Sequence, residues 1–115
     1  MSSIIKFILS LSLLFNAGYS FANKGALTHV VSEKVCMVTN KVFPNPQIPV
    51  TVDGKKYYGC CQMCKGQLEQ KPEVRMALDP VTNEAIDKSS AYIAADTKGN
   101  VYYFKNKDTF SKYAK

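Results

Sequence analysis

Tyr57-Tyr58-Gly59-Cys60-Cys61-Gln62-Met63-Cys64-Lys65 carries three of the chain's four cysteines, and the fourth, Cys36, stands alone upstream. Upstream of this cluster, Val50-Thr51-Val52 is a β-branched run. Asp53-Gly54 is a strong two-residue hairpin signal, and Lys55 to Gly59 reads as the returning strand. Beyond it, Cys61 to Glu69 has helical composition, with Leu68 on the face that holds Cys61 and Cys64. The cysteines therefore fall where a strand gives way to a helix. The hairpin between them and Cys36 brings the end of that strand back beside the turn that follows Cys36. Cys60, Cys61 and Cys64 lie within about one helical turn of each other. A helix amino terminus also carries positive potential, which favours thiolate over thiol. Thiolates are soft ligands, and Met37 and Met63 add thioethers nearby, so a site of this make-up suits Zn²⁺ or Cu⁺ over Mg²⁺ or Ca²⁺.

The same succession occurs twice. Cys36-Met37-Val38-Thr39-Asn40 opens one unit and Asp79-Pro80-Val81-Thr82-Asn83 the next. Tyr57-Tyr58 returns as Tyr102-Tyr103. In the second unit Ala91 to Ala95 is the outgoing strand, Lys98-Gly99-Asn100 the turn, Val101 to Phe104 the return, and Asp108 to Tyr113 the helix. Pro72-Glu73, at the head of PEVRMALD, reads as a helix start, with the helix stopping before Pro80. Pro44, Pro46 and Pro49 hold Phe43 to Ile48 extended or looped. The expected fold is α+β: one small domain over 33–115 made of two similar hairpin-plus-helix units, a cysteine-bearing one over 33–78 and a cysteine-less one over 79–115.

Residues 1–22 read as a secretory signal peptide. Lys6 gives the positive start, Phe7 to Phe15 the apolar stretch, and Ser20-Phe21-Ala22 the cleavage motif. The apolar stretch is shorter than the roughly 20 residues a membrane span needs, so the expectation is export to a periplasm or beyond, with no stable span after cleavage. Residues 23–32 read as a flexible lead-in. The chain of 115 residues carries a formal +6, yet its lysines are dispersed and Arg75 is the only arginine, a pattern that fits a solvated surface and not a nucleic-acid site. The only histidine, His29, sits in the lead-in, so no Ser/His/Asp or Cys/His nucleophile can be assembled, and an enzyme is not expected. Asp79, Glu84 and Asp87 read as turn and cap residues, and the paired tyrosines as core and cross-strand contacts.

Cys36, Cys60 and Cys64 at this spacing, with a hairpin between and aromatics before the second cysteine, resemble a TRASH domain, one of the treble-clef metal-binding modules. GKKYYGCCQMC also resembles the YHS domain, and DPVTN with YYF resembles a second YHS-type unit without cysteines. The resemblance spans about residues 33–113. It implies heavy-metal binding in buffering, delivery or resistance, with a metal transporter or another envelope protein as partner. It also implies Cys36, Cys60 and Cys64 as ligands and Cys61 as an additional thiol. The chain departs from the pattern in a slightly long first spacer and in Asn40, where glycine is common. Asn tolerates the left-handed conformation such a turn needs. In the second unit Asp79 replaces the first cysteine, and Lys105, Asn106 and Thr109 fall at the cluster.

Two other uses of the cysteines stay open at this level. Four cysteines in an exported small domain also make two disulfides, which would staple a protein-interaction domain. Cys61-Gln62-Met63-Cys64 is a CxxC and admits a thiol–disulfide redox role, although the chain lacks the longer βαβ setting of thioredoxin-like proteins. A c-type haem would need histidine where Lys65 stands.

Overall fold

The structure, a computed structural model, describes residues 26–114. The signal peptide expected over 1–22 lies outside them. Among the described residues, nine short strands and two helices form one α+β domain built twice from the same parts. In the first unit a 3-10 turn (Ser32–Lys34) leads into β2 (Val35–Cys36) and β3 (Lys41–Val42), which pair antiparallel around a tight corner. The hairpin β4 (Ile48–Val52) and β5 (Lys55–Gly59) follows, then helix α1 (Gln62–Gln70). In the second unit a 3-10 turn (Pro72–Arg75) leads into β6 (Met76–Leu78), which pairs with β7 (Ala85–Asp87) around the matching corner. A further 3-10 turn (Lys88–Ser90) precedes the hairpin β8 (Tyr92–Ala95) and β9 (Val101–Phe104), and α2 (Lys107–Ala114) closes the unit.

The Asp-Gly turn behaves as its sequence requires. Asp53 and Gly54 both take positive φ, 51° and 77°, so Val52 and Lys55 close a two-residue hairpin. The helix expected over PEVRMALD is not formed. Only Pro72–Arg75 turns, as a 3-10 segment, and Met76–Leu78 extends to pair with Ala85–Asp87. Asn83, at φ 60°, folds the chain back through a tight corner, and the strand pairing this permits overrides a local helical preference. The second structural unit accordingly begins before Asp79, because β6 supplies half of its corner. Thr28 and His29, read as part of the lead-in, form β1 (Thr28–His29), which pairs with Ala95 and Ala94 of β8 and makes a three-stranded sheet β1–β8–β9.

A single apolar core joins the units. Val35, Met37, Val50, Tyr57 and Leu68 from the first pack with Ile93, Ala95, Val101 and Tyr103 from the second. Backbone bonds reinforce the contact. Val42 N–H donates to Gly99 O at 3.1 Å, and Val101 N–H to Asn40 O at 3.0 Å, seating the first corner on the β8–β9 turn. Around α2 the aromatics cluster, with Phe110 against Tyr92 and Phe104 and Tyr113 against Phe104. Among the described residues no helix is long and apolar enough to cross a membrane.

Candidate metal centre

Cys36 ends β2, and its neighbours Val38 and Thr39 turn their backbone N–H groups toward its sulfur, as does the Thr39 hydroxyl. The corner closes through Asn40 N–H to Cys36 O at 2.8 Å, with Asn40 at φ 57°, the conformation glycine usually supplies. Met37 N–H donates to Tyr58 O at 2.9 Å, which pins the corner beside the end of β5. From there the chain passes through Gly59 and Cys60 into α1, whose N-cap is Cys61. Gly59 is required by close approach: a Cβ there would lie 2.9 Å from Cys64 Cβ and 3.3 Å from that residue's carbonyl carbon. The absent side chain lets the first turn of α1 settle against the strand end and carry Cys64 to Cys36.

The sulfurs converge. Cys36, Cys60 and Cys64 lie within 4.8 Å of one another, the one group of this kind among the described residues. Cys64 Sγ is 3.8 Å from Cys36 Sγ, 3.6 Å from Cys60 Sγ and 3.5 Å from Cys61 Sγ. Cys61 thus touches the group through Cys64 without joining the mutual set of three. Tetrahedral coordination with bonds of about 2.3 Å separates its sulfurs by about 3.8 Å. A disulfide holds them at about 2.05 Å. All four cysteines are free thiols at spacings of the first kind, and the donor set fits a soft ion. Cys36 and Cys64 are buried whereas Cys60 and Cys61 are exposed, so the cluster opens on one side.

Ionisation of the four groups is uneven. Burial works against the Cys36 thiolate, but the Thr39 hydroxyl and the Thr39 and Val38 N–H groups prevail and bring its pKa down to about 7. Cys64 is pushed up to about 12, first by burial and then by Cys61, Cys60 and Cys36 around it. Cys60 is raised, mainly because its proton is shared with Cys36. Cys61 is lowered by the backbone N–H of Cys64 in the first turn of α1. A cation at the site would displace the protons the sulfurs carry.

Met37 lies in the core and His29 outside the sulfur group. Met37 is fully buried there, and Met63 stands 73% exposed in the first turn of α1. His29 stacks on Tyr92 at 4.3 Å between ring centroids, with Nδ1 3.0 Å from Ile93 O, and forms no part of the sulfur group.

Lys88 is a residue the sequence did not single out. It is only 5% exposed, and its Nζ donates to Met37 O at 2.6 Å and Asn40 Oδ1 at 3.1 Å, lying 5.0 Å from the centroid of the Tyr103 ring. Tyr103 OH donates to the same Asn40 oxygen at 2.8 Å. Burial draws the Lys88 pKa down to about 8, against the opposing pull of Cys36. No periodicity marks a lysine in Asp87-Lys88-Ser89-Ser90 as buried; only the tertiary contact does.

The position of Cys36 is taken in the second unit by Asp79, fully buried. Its carboxylate accepts Val81 N–H at 2.7 Å, Thr82 N–H at 3.3 Å and Lys105 N–H at 2.7 Å. The Thr109 side chain also bonds it. Lys105 and Thr109 follow β9 as Cys60 and Cys64 follow β5. No protein-family model, curated protein or solved structure matches this chain.

Proposed function

We propose that the chain is an exported, non-enzymatic heavy-metal-binding protein of the TRASH/YHS kind that holds Zn²⁺ or Cu⁺ for buffering, delivery or resistance. The observation that carries this reading is the convergence of Cys36, Cys60 and Cys64 within 4.8 Å, with sulfur spacings near the edge of a metal–thiolate tetrahedron. Cys36, Cys60 and Cys64 are the primary ligands. Cys61, on the exposed side and 3.5 Å from Cys64, is the fourth thiolate or the ligand that exchanges during transfer. Met63, exposed and next in sequence to Cys64, adds a thioether when the ion is Cu⁺. An opening lined by Cys60 and Cys61 gives a transporter or envelope partner access to the ion. Export rests on the leader sequence. The alternative, a domain stapled by two disulfides, requires the sulfurs to separate into two pairs, whereas Cys64 is within 3.8 Å of all three others.

Reduced protein is expected to bind one soft ion per chain, and the Cys60→Ser, Cys64→Ser double variant to bind none. Elemental analysis with a free-thiol count on anaerobically purified material reads both. Undiminished affinity in the double variant, or a native mass four hydrogens below the reduced value, overturns the reading.

A further inference from the structure

We infer that Lys88 is the positioning and charge-compensating residue of the metal centre, and that through it the cysteine-less unit sets the affinity of the cysteine-bearing one. The inference rests on the metal-binding reading above and extends it to a residue outside the sulfur cluster.

Three thiolates outweigh the charge of either Zn²⁺ or Cu⁺, so the loaded cluster is net negative, whereas the same cluster as thiols is close to neutral. Loading therefore builds negative charge beside β2; on the open side water screens it, but on the inner side, where Cys36 and Met37 are fully buried, screening is weak. Lys88 is the buried cation next to it. Its ammonium is held from three directions: by Met37 O, by Asn40 Oδ1 and by the face of Tyr103. Both oxygens belong to the corner that aims Cys36, the first one residue beyond the ligand and the second at the left-handed position that closes the turn. Tyr103 OH fixes the same Asn40 oxygen from the other side. Lys88 and Tyr103 both come from the second unit, which through them contributes a positive charge and three hydrogen bonds to the corner, beside the backbone bond from Val101 N–H to Asn40 O. Outer groups of this kind typically alter metal affinity 10–100-fold.

The test uses reduced protein, with Zn²⁺ affinity read by competition against a chromophoric chelator and Co²⁺ spectra recorded on the same samples. Lys88→Met keeps the length and apolar stem and removes the charge. The expected result is Zn²⁺ affinity weaker by about 10–100-fold. The sulfur-to-Co²⁺ charge-transfer band should also move to lower energy, because the thiolate electrons lose a neighbouring cation. The ligand-field bands, which report tetrahedral geometry, should stay in place. A role confined to packing would lower stability without shifting the charge-transfer band. Should Lys88→Met fail to fold, Asn40→Asp decides. It is nearly isosteric, tolerates the same φ, and sets a carboxylate against the ammonium, so affinity should fall in the same direction. Folded variants with wild-type affinity and an unmoved charge-transfer band overturn the inference. Absence of metal binding by the wild-type protein would instead overturn the metal-binding reading itself.

Discussion

The corner at Cys36 and the corner at Asp79 are the same piece of backbone carrying different chemistry. Each closes with an asparagine N–H donating to the carbonyl four residues earlier, Asn40 to Cys36 and Asn83 to Asp79, both at 2.8 Å. Each asparagine is left-handed, at φ 57° and 60°. In the second unit a buried carboxylate gathers the N–H groups of Val81, Thr82 and Lys105, so corner, strand end and helix are tied together by charge-assisted hydrogen bonds. In the first unit three sulfurs meet at the corresponding point, and thiols are weak donors and weak acceptors. The second unit holds its corner, strand end and helix together without an added ion. The first pins its corner to the strand end through Met37 N–H and Tyr58 O, but has sulfurs where the second has its carboxylate, and an ion there would add the corresponding tie. In a repeat of this kind one frame carries a buried carboxylate tie in one copy and, at the same point in the other, a sulfur cluster that could hold an ion.

The sharpest way to break the comparison is Asp79→Ala. It strips three backbone N–H groups of their acceptor, and the expected loss of stability is about 3 kcal/mol, measured by urea unfolding of the metal-free protein. An unchanged midpoint would mean that the carboxylate does not play the tying role assigned to it. Next in size is Gly59→Ala, which probes the feature that admits Cys64 to the first corner. The added methyl meets Cys64 at 2.9 Å, so α1 must shift. A cost of about 2 kcal/mol is expected from overpacking, together with weaker Zn²⁺ binding in a chelator competition. In the second unit Phe104 stands at the matching place, and no such space is kept there.

The smallest effect concerns the joint between the units. Asp87 accepts Lys55 Nζ and Tyr57 OH from the first hairpin and Ser89 N–H and hydroxyl from its own 3-10 turn. Burial opposes its charge, yet the Ser89, Tyr57 and Lys55 bonds prevail and lower its pKa to about 2. A carboxyl lowered on folding stabilises fully above its ordinary value of 3.8 and loses that contribution as pH falls toward 2. Wild-type protein should therefore lose about 1–2 kcal/mol between pH 4 and pH 2, allowing for the partial exposure of the group. Asp87→Asn should flatten that part of the curve. Thermal melts across this window check it, and an identical slope in the variant would remove Asp87 as the acid-sensitive joint.

Much of this layout was legible in the chain. Val38-Thr39-Asn40 and Val81-Thr82-Asn83 marked the openings of the two units as a repeat, and both asparagines prove to be left-handed at the corners. Asp53-Gly54 marked the hairpin as a two-residue turn signal. The convergence of Cys36 with Cys60 and Cys64 followed from counting a hairpin between them. What escaped was set by partners distant in sequence. PEVRMALD gave up its helical preference to pair with Ala85–Asp87, and Thr28–His29 became a strand only because β8 offered an edge. Lys88 looked like one more surface lysine, since nothing within four residues of it shows that Met37, Asn40 and Tyr103 close around it.

Val42 N–H donates to Gly99 O and Val101 N–H to Asn40 O. These bonds join the Cys36 corner to the opposite hairpin, so the chain cannot be divided at Lys71 into two self-sufficient halves. A fragment ending there would uncover Val35, Met37 and Tyr57, and its sulfur cluster would rest on a corner with nothing beneath it. The molecule should melt as one body, and anything that loosens the hairpin of the barren half should be felt at the sulfurs.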